Sequence, residues 1–101
     1  MKTNNELLEL AIKAAGYTDI KSDSFGFYRV IGEHDDGKPC LSRFDPFSCD
    51  RDRYQLMKTL DLCVNFGDGT IVWNGYVVRD GVADIDRAIV EVAAEIGGLM
   101  E

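Results

Sequence analysis

The chain has no apolar run approaching the ~18 residues of a membrane-spanning helix. Its opening stretch, Met1-Lys2-Thr3-Asn4-Asn5-Glu6, lacks the apolar segment of a secretory signal. A cytoplasmic protein is expected. Proline occurs twice, and histidine and tryptophan once each. One histidine beside scattered cysteines falls short of the tight Cys/His spacing of a zinc site. The three cysteines, Cys40, Cys49 and Cys63, are odd in number and without close pairing, which points to free thiols rather than a disulfide framework.

Positive charge is also scarce. Lys and Arg total 11 against 18 Asp and Glu, a formal charge of −7. That balance opposes contact with the phosphates of DNA or RNA, so no direct nucleic-acid binding is expected. The excess is uneven: residues 54–101 carry eight acids and three bases, whereas residues 1–21 balance at three of each. A host or phage protein with a basic surface would suit such an exterior, although ordinary solubility accounts for the charge more simply. Internal repeats, low-complexity tracts and Pro/Ser-rich linkers are absent, and 101 residues fit one domain.

What is present reads as three helices and four short strands. Thr3 and Glu6 match a capping box ahead of a helix over 4–15, with Gly16 as its stop. Leu7, Leu8, Ala11, Ile12, Ala14 and Ala15 form its apolar stripe. Phe25 to Glu33 and Cys40 to Phe44 read as strands joined at Asp35-Asp36-Gly37-Lys38. A second helix is expected from Asp50 or Arg51 to Asp61, capped by Ser48 or Asp50. Tyr54, Leu56, Met57 and Leu60 form its apolar stripe, opposite Arg51, Asp52, Gln55, Lys58 and Thr59. Leu62, Val64 and Phe66 alternate as in a half-buried strand, and Gly67-Asp68-Gly69 turns the chain into Thr70 to Val78. Within that run Asn74-Gly75 fits either a bulge or a type I′ turn. The bulge is favoured, because Gly67-Asp68-Gly69 already reverses the chain. The last helix starts at Asp84 or the Asp80-Gly81 turn and is expected to end at Gly97-Gly98. Ile85, Ile89, Val92, Ile96 and Leu99 share one face, with Asp84, Glu91 and Glu95 on another. The order α-β-β-α-β-β-α predicts an α+β sandwich, an antiparallel sheet of about four strands packed with helices.

Three stretches together resemble the small phage and prophage proteins of the phage ABA sandwich family. They are Asn5 to Tyr17, the run from Phe44-Asp45-Pro46-Phe47 through Asp50-Arg51-Asp52 to Leu60, and Arg87 to Gly97. They cover about half the chain in the family's order. Phe44 stands where the family usually has tryptophan, and Asp50-Arg51-Asp52 replaces a plainer Asp-Gly-Asp run. The resemblance implies phage or prophage origin and an α/β sandwich. It implies no catalytic residue, cofactor or metal.

Read from the residues, catalysis has thin support. Cys40, Cys49 or Cys63 could provide a nucleophile, but His34 is the sole candidate base, so a small enzyme would use His34 with Cys40 or Asp35; a hairpin tip explains His34-Asp35-Asp36 more simply. Asp45, Asp50 and Asp52 invite an acid/base reading that capping and a solvated helix start explain more simply. Gly67-Asp68-Gly69 lacks the Lys and Ser/Thr of a phosphate loop. The rings Phe25, Phe27, Tyr28, Phe44, Phe47, Trp73 and Tyr76 are too many for one face of a small sheet. Either helices cover both faces, or an aromatic patch stays open as a protein interface or homodimer seam. The expected function is therefore non-catalytic: a phage accessory protein that binds another protein, of the anti-CRISPR kind. Its contact residues would be Asp84, Glu91, Glu95, Tyr28, Trp73, Tyr76, Asp35 and Asp36. A self-associating structural module and a small Cys/His enzyme are the alternatives.

Overall fold

The computed structural model describes residues 2–100. The first helix, α1 (Asn4–Ala15), is closed at both ends by local chemistry. Thr3 Oγ1 accepts from the Glu6 amide at 3.2 Å, Glu6 Oε1 accepts from the Thr3 amide at 3.4 Å, and Gly16 takes the left-handed conformation at φ 71°. Strands β1 (Ile20–Asp23), β2 (Gly26–Glu33) and β3 (Pro39–Arg43) then form an antiparallel meander. After α2 (Asp50–Leu60), strands β4 (Cys63–Asn65), β5 (Thr70–Trp73) and β6 (Tyr76–Arg79) form a second one. The helix α3 (Ile85–Leu99) completes the described chain. The α+β class is as expected, but six strands in two three-stranded sheets replace the single sheet of four.

The extra strands have identifiable origins. In β1 only Ile20 is even half-buried, so that strand carries no alternation to detect. Its turn into β2 is fixed by Asp23, whose Oδ1 accepts from the Phe25 and Gly26 amides at 2.8 and 3.1 Å. Phe25 thus leaves the strand predicted for it and stands at the turn, 79% exposed. Asn74-Gly75 is a hairpin turn rather than a bulge. Both residues have positive φ, 56° and 82°, and Trp73 pairs with Tyr76 across it. The irregularity in this hairpin lies further along, where the register shifts between Ile71 and Val72.

Helix α2 keeps Leu56, Met57 and Leu60 of its expected stripe against the cores and departs from expectation at Tyr54 and Asp52. Its buried residues are Asp52, Arg53 and Leu56, while Tyr54 faces outward. Its N-cap is Cys49, with no side-chain cap from Ser48 or Asp50. Helix α3 is capped as expected, Asp84 Oδ1 accepting from the Arg87 amide at 3.1 Å, but it runs through Gly97-Gly98 to Leu99.

The core divides in two about α3. Val90 and Ala93 pack with Leu8 and Ala11 of α1, Leu56 of α2 and Phe44, with Ile20 and Phe27 of the first sheet against them. Ala88, Ile89, Val92 and Ile96 pack with Leu62 and Ile71, backed by Trp73 and Val78 of the second sheet. Each buried Ile or Val here contributes about 1.5–3 kcal/mol. The approach of α3 to α1 depends on Gly97. A methyl group there would lie 2.0 Å from the carbonyl oxygen of Leu10, whereas one on Gly98 would meet nothing within 4 Å. Gly97→Ala should therefore cost about 1–3 kcal/mol by forcing the helices apart. Gly98→Ala should be neutral or stabilising by up to about 1 kcal/mol. At ~4–8 °C per kcal/mol for a domain of this size, thermal melts will separate the two variants.

Candidate functional site

Three polar interactions set the turn that follows β3. Asp52 Oδ2 accepts from the Asp45 amide at 2.9 Å, and Asp45 Oδ1 accepts from the Phe47 amide at 3.2 Å. Arg53, with its side chain only 9% exposed, donates Nη1 to the Pro46 carbonyl at 2.9 Å. Its Nη2 reaches Asp50, and its Nε lies 3.3 Å from Asp86 Oδ1 at the start of α3. Both terminal nitrogens are hydrogen-bonded and Nε has the Asp86 carboxylate within ion-pair reach, the kind of pairing under which a charge can be buried.

This cluster is one wall of an open groove of about 460 Å³, lined by Asp50, Arg53, Tyr54, Met57, Phe66 and Asp86. Tyr54 is 61% exposed and Phe66 58%. Phe66 stands on a rigid turn. Asn65 Oδ1 accepts from the Gly67 and Asp68 amides at 3.0 and 3.1 Å, and Asn65 Nδ2 donates to Asp68 at 3.0 Å. Two rings and a thioether are thus held at a groove edged by two carboxylates, with one buried cation between those carboxylates. Apolar and aromatic surface of this kind, rimmed by charge, suits contact with another molecule.

The residues singled out from sequence fall in four parts of the fold: α3, β2, the β2–β3 turn and the β5–β6 hairpin. Asp84 caps α3, while Glu91 and Glu95 occupy the narrow outer strip of that helix. Both are engaged, Glu91 with Arg87 at 3.7 Å and Glu95 with Arg79 at 2.9 Å. Tyr28 is half-buried in the first sheet, beside Arg43 across the β2–β3 ladder. Trp73 packs against the second core cluster, and its cross-strand neighbour Tyr76 is 75% exposed. Asp35 and Asp36 are exposed at the β2–β3 turn, where Asp36 Oδ1 accepts from the Lys38 amide at 3.0 Å. The aromatic question thus resolves ring by ring. Phe44 is buried, Phe27, Phe47 and Trp73 back the cores, and Phe25 and Tyr76 project.

Sequence reasoning passed over Tyr54 and Phe66 because both sit at positions whose period reads as core. Phe66 falls just beyond β4, so the alternation Leu62, Val64, Phe66 ends one residue too late. His34 lies in the β2–β3 turn and closes it through its backbone, the amide donating to the Lys38 carbonyl at 2.7 Å. Among the described residues no group of three or more His, Cys, Asp or Glu side chains is placed to hold a metal ion. All three cysteines are free thiols, and no helix is long and apolar enough to cross a membrane. No family model matches the chain, and no curated protein or solved structure matches it either.

Because Arg53 is buried and joins α2, the 45–47 turn and α3, Arg53→Ala should destabilise the fold by about 3–5 kcal/mol. Asp50 is 93% exposed at its side chain, so Asp50→Ala should cost under about 1 kcal/mol. Urea denaturation of both variants checks this contrast.

Proposed function

We propose that the chain is a non-catalytic binding protein that docks a basic partner protein in the groove lined by Tyr54 and Phe66. One observation carries this reading: two large exposed rings, Tyr54 and Phe66, line the same groove as the Asp50 and Asp86 carboxylates. A lysine or arginine entering the groove gains both the ring faces and the carboxylates. The charge of −7 over the whole chain steers a basic partner toward it. The affinity resides in the rings, because interface energy concentrates in a few aromatic anchors.

The measurement is fluorescence anisotropy with a labelled Arg/Lys-rich peptide, set against its Glu-substituted counterpart. Binding should be selective for the basic peptide and weaken with salt. Tyr54→Ser with Phe66→Ser should lower affinity by about 30-fold or more, the equivalent of about 2 kcal/mol. Tyr76→Ser, which removes an exposed ring from another hairpin, should leave affinity unchanged. A larger loss from Tyr76→Ser than from the double variant would move the interface to the β5–β6 hairpin.

For the biological setting, we propose that the partner belongs to bacterial antiviral defence, in the manner of anti-CRISPR proteins. Small size, acidity and the resemblance to phage ABA sandwich proteins support this assignment. Expressed in a host with active CRISPR immunity, the chain should raise the plating efficiency of a targeted phage. The Tyr54→Ser, Phe66→Ser form should not. No rise across the CRISPR types tested would remove the assignment and leave the groove reading in place.

A further inference from the structure

A second cleft opens along another stripe of α2. Arg51, Gln55 and Lys58 are spaced four and three residues apart, which sets them in one row along the helix. They face Tyr17 and Arg29, and with Tyr54 and Thr59 they enclose about 390 Å³. That size lies within the range of small-molecule sites. In a chain with 18 acids, this cleft is lined by three cations and no carboxylate.

Arg29 is the fixed part. Its guanidinium lies 4.7 Å from the Tyr17 ring and 5.5 Å from the Phe44 ring, and its Nη1 donates to Gln55 Oε1. Asp19 stands 3.4 Å from Nε, within ion-pair reach but not aligned as a hydrogen-bond acceptor. Nε and Nη2 are buried without a hydrogen-bond acceptor, so this cation is incompletely satisfied by the protein. Arg51 and Lys58 are exposed and have no ion-pair partner among the described residues. A smaller cleft of about 240 Å³ continues past Arg29, Arg51 and Gln55 to Ser42. Its one carboxylate, Asp52, is occupied by the Asp45 amide.

We propose that this cleft binds a small phosphorylated ligand of the nucleotide class. Arg51 and Lys58 take the phosphates and the fixed charge of Arg29 lies behind them. The exposed ring of Tyr54 offers a stacking surface for a base, and Gln55 and Thr59 supply polar groups at its edge. Arginine pairs a phosphate through directional, charge-assisted hydrogen bonds, and three cations in one cleft match the several charges of a phosphate chain better than the single charge of a simple carboxylate. The two openings share Tyr54, but the substitutions that test the cleft fall on Arg51 and Lys58, which do not line the groove, so the two proposals can fail separately.

Isothermal titration calorimetry with ATP, inorganic triphosphate and adenosine tests it at low and at moderate salt. ATP should bind more tightly than triphosphate, adenosine should bind at least tenfold more weakly than ATP, and salt should weaken ATP binding. Arg51→Glu with Lys58→Glu should reduce ATP affinity by at least tenfold. The milder pair Arg51→Gln and Lys58→Gln should give a smaller loss in the same direction. Both positions are exposed, and unchanged thermal melts will confirm that the variants fold. ATP binding should also shift the Gln55 side-chain amide resonances in an NMR titration. The proposal fails if no phosphate probe binds, if adenosine binds as well as ATP, or if the charge reversals leave ATP affinity intact. It fails also if a short single-stranded oligonucleotide binds far more tightly than ATP through the same residues, or if those residues instead hold a second copy of the chain in a concentration-dependent dimer.

Discussion

The buried guanidinium of Arg53 is the constraint on which the arrangement around α2 depends. Removing such a charge from water is costly, and the cost is offset only when the charge is paired and hydrogen-bonded. The required oxygens come from three parts of the chain: the Pro46 carbonyl before α2, Asp50 on its first turn, and Asp86 on α3. Satisfying one side chain therefore sets the rotation of α2, the path of the turn into it and the position of the α3 N-terminus. With Arg53 and Leu56 turned inward, Tyr54 has to point out. The exposed ring of the groove is thus a consequence of the buried charge.

Helix α3 supplies the second constraint. It buries residues around most of its circumference and serves both core clusters. A helix in that position has little surface left for recognition, which is why Glu91 and Glu95 form a narrow strip whose charges are met by Arg87 and Arg79. Small residues make the central placement possible. Ala93 and Ala94 are buried, and Gly97 lets the α1 backbone approach to where a methyl group would collide with Leu10.

The helices were legible in the sequence to within a few residues, because caps and 3.6-residue periodicity are local signals. Thr3, Glu6, Gly16 and Asp84 act as their residue types predict. Two features were not legible, for physical reasons. Strand β1 is specified by its pairing with β2, and with Ile20 alone half-buried it has no hydrophobic alternation. The burial of Arg53 on α2 depends on carbonyls and a carboxylate outside the helix. Periodicity counted Tyr54 with Leu56, Met57 and Leu60 as the inner stripe; the last three do pack inward, and Tyr54 alone is displaced from it, with Arg53 buried in its place. Asn74-Gly75 is a different case. Its composition is that of a type I′ turn, and the weight given to the neighbouring Gly67-Asp68-Gly69 turn concealed that a three-stranded meander needs two reversals. The candidate grooves share this pattern of partial legibility, since their residue types are visible in sequence and their convergence is not.

Net charge is the least local of the quantities considered, and α2 shows how it can mislead about a site. At physiological salt, exposed charges are screened beyond about 8 Å, so the −7 of the chain governs approach from a distance more than contact at a given cleft. Along eleven residues, α2 presents Arg53 and Leu56 to the interior. Tyr54 and Met57 face a groove edged by Asp50 and Asp86, and Arg51, Gln55 and Lys58 face a cleft without carboxylates. Tyr54 lines both openings and forms the ridge between them. One short helix thus separates surfaces of opposite sign because its buried stripe is occupied by a cation, which draws Asp50 and Asp86 to one flank and leaves Arg51 and Lys58 unopposed on the other. An overall acidic composition is compatible with local recognition of anions wherever internal ion pairing gathers the carboxylates in this way.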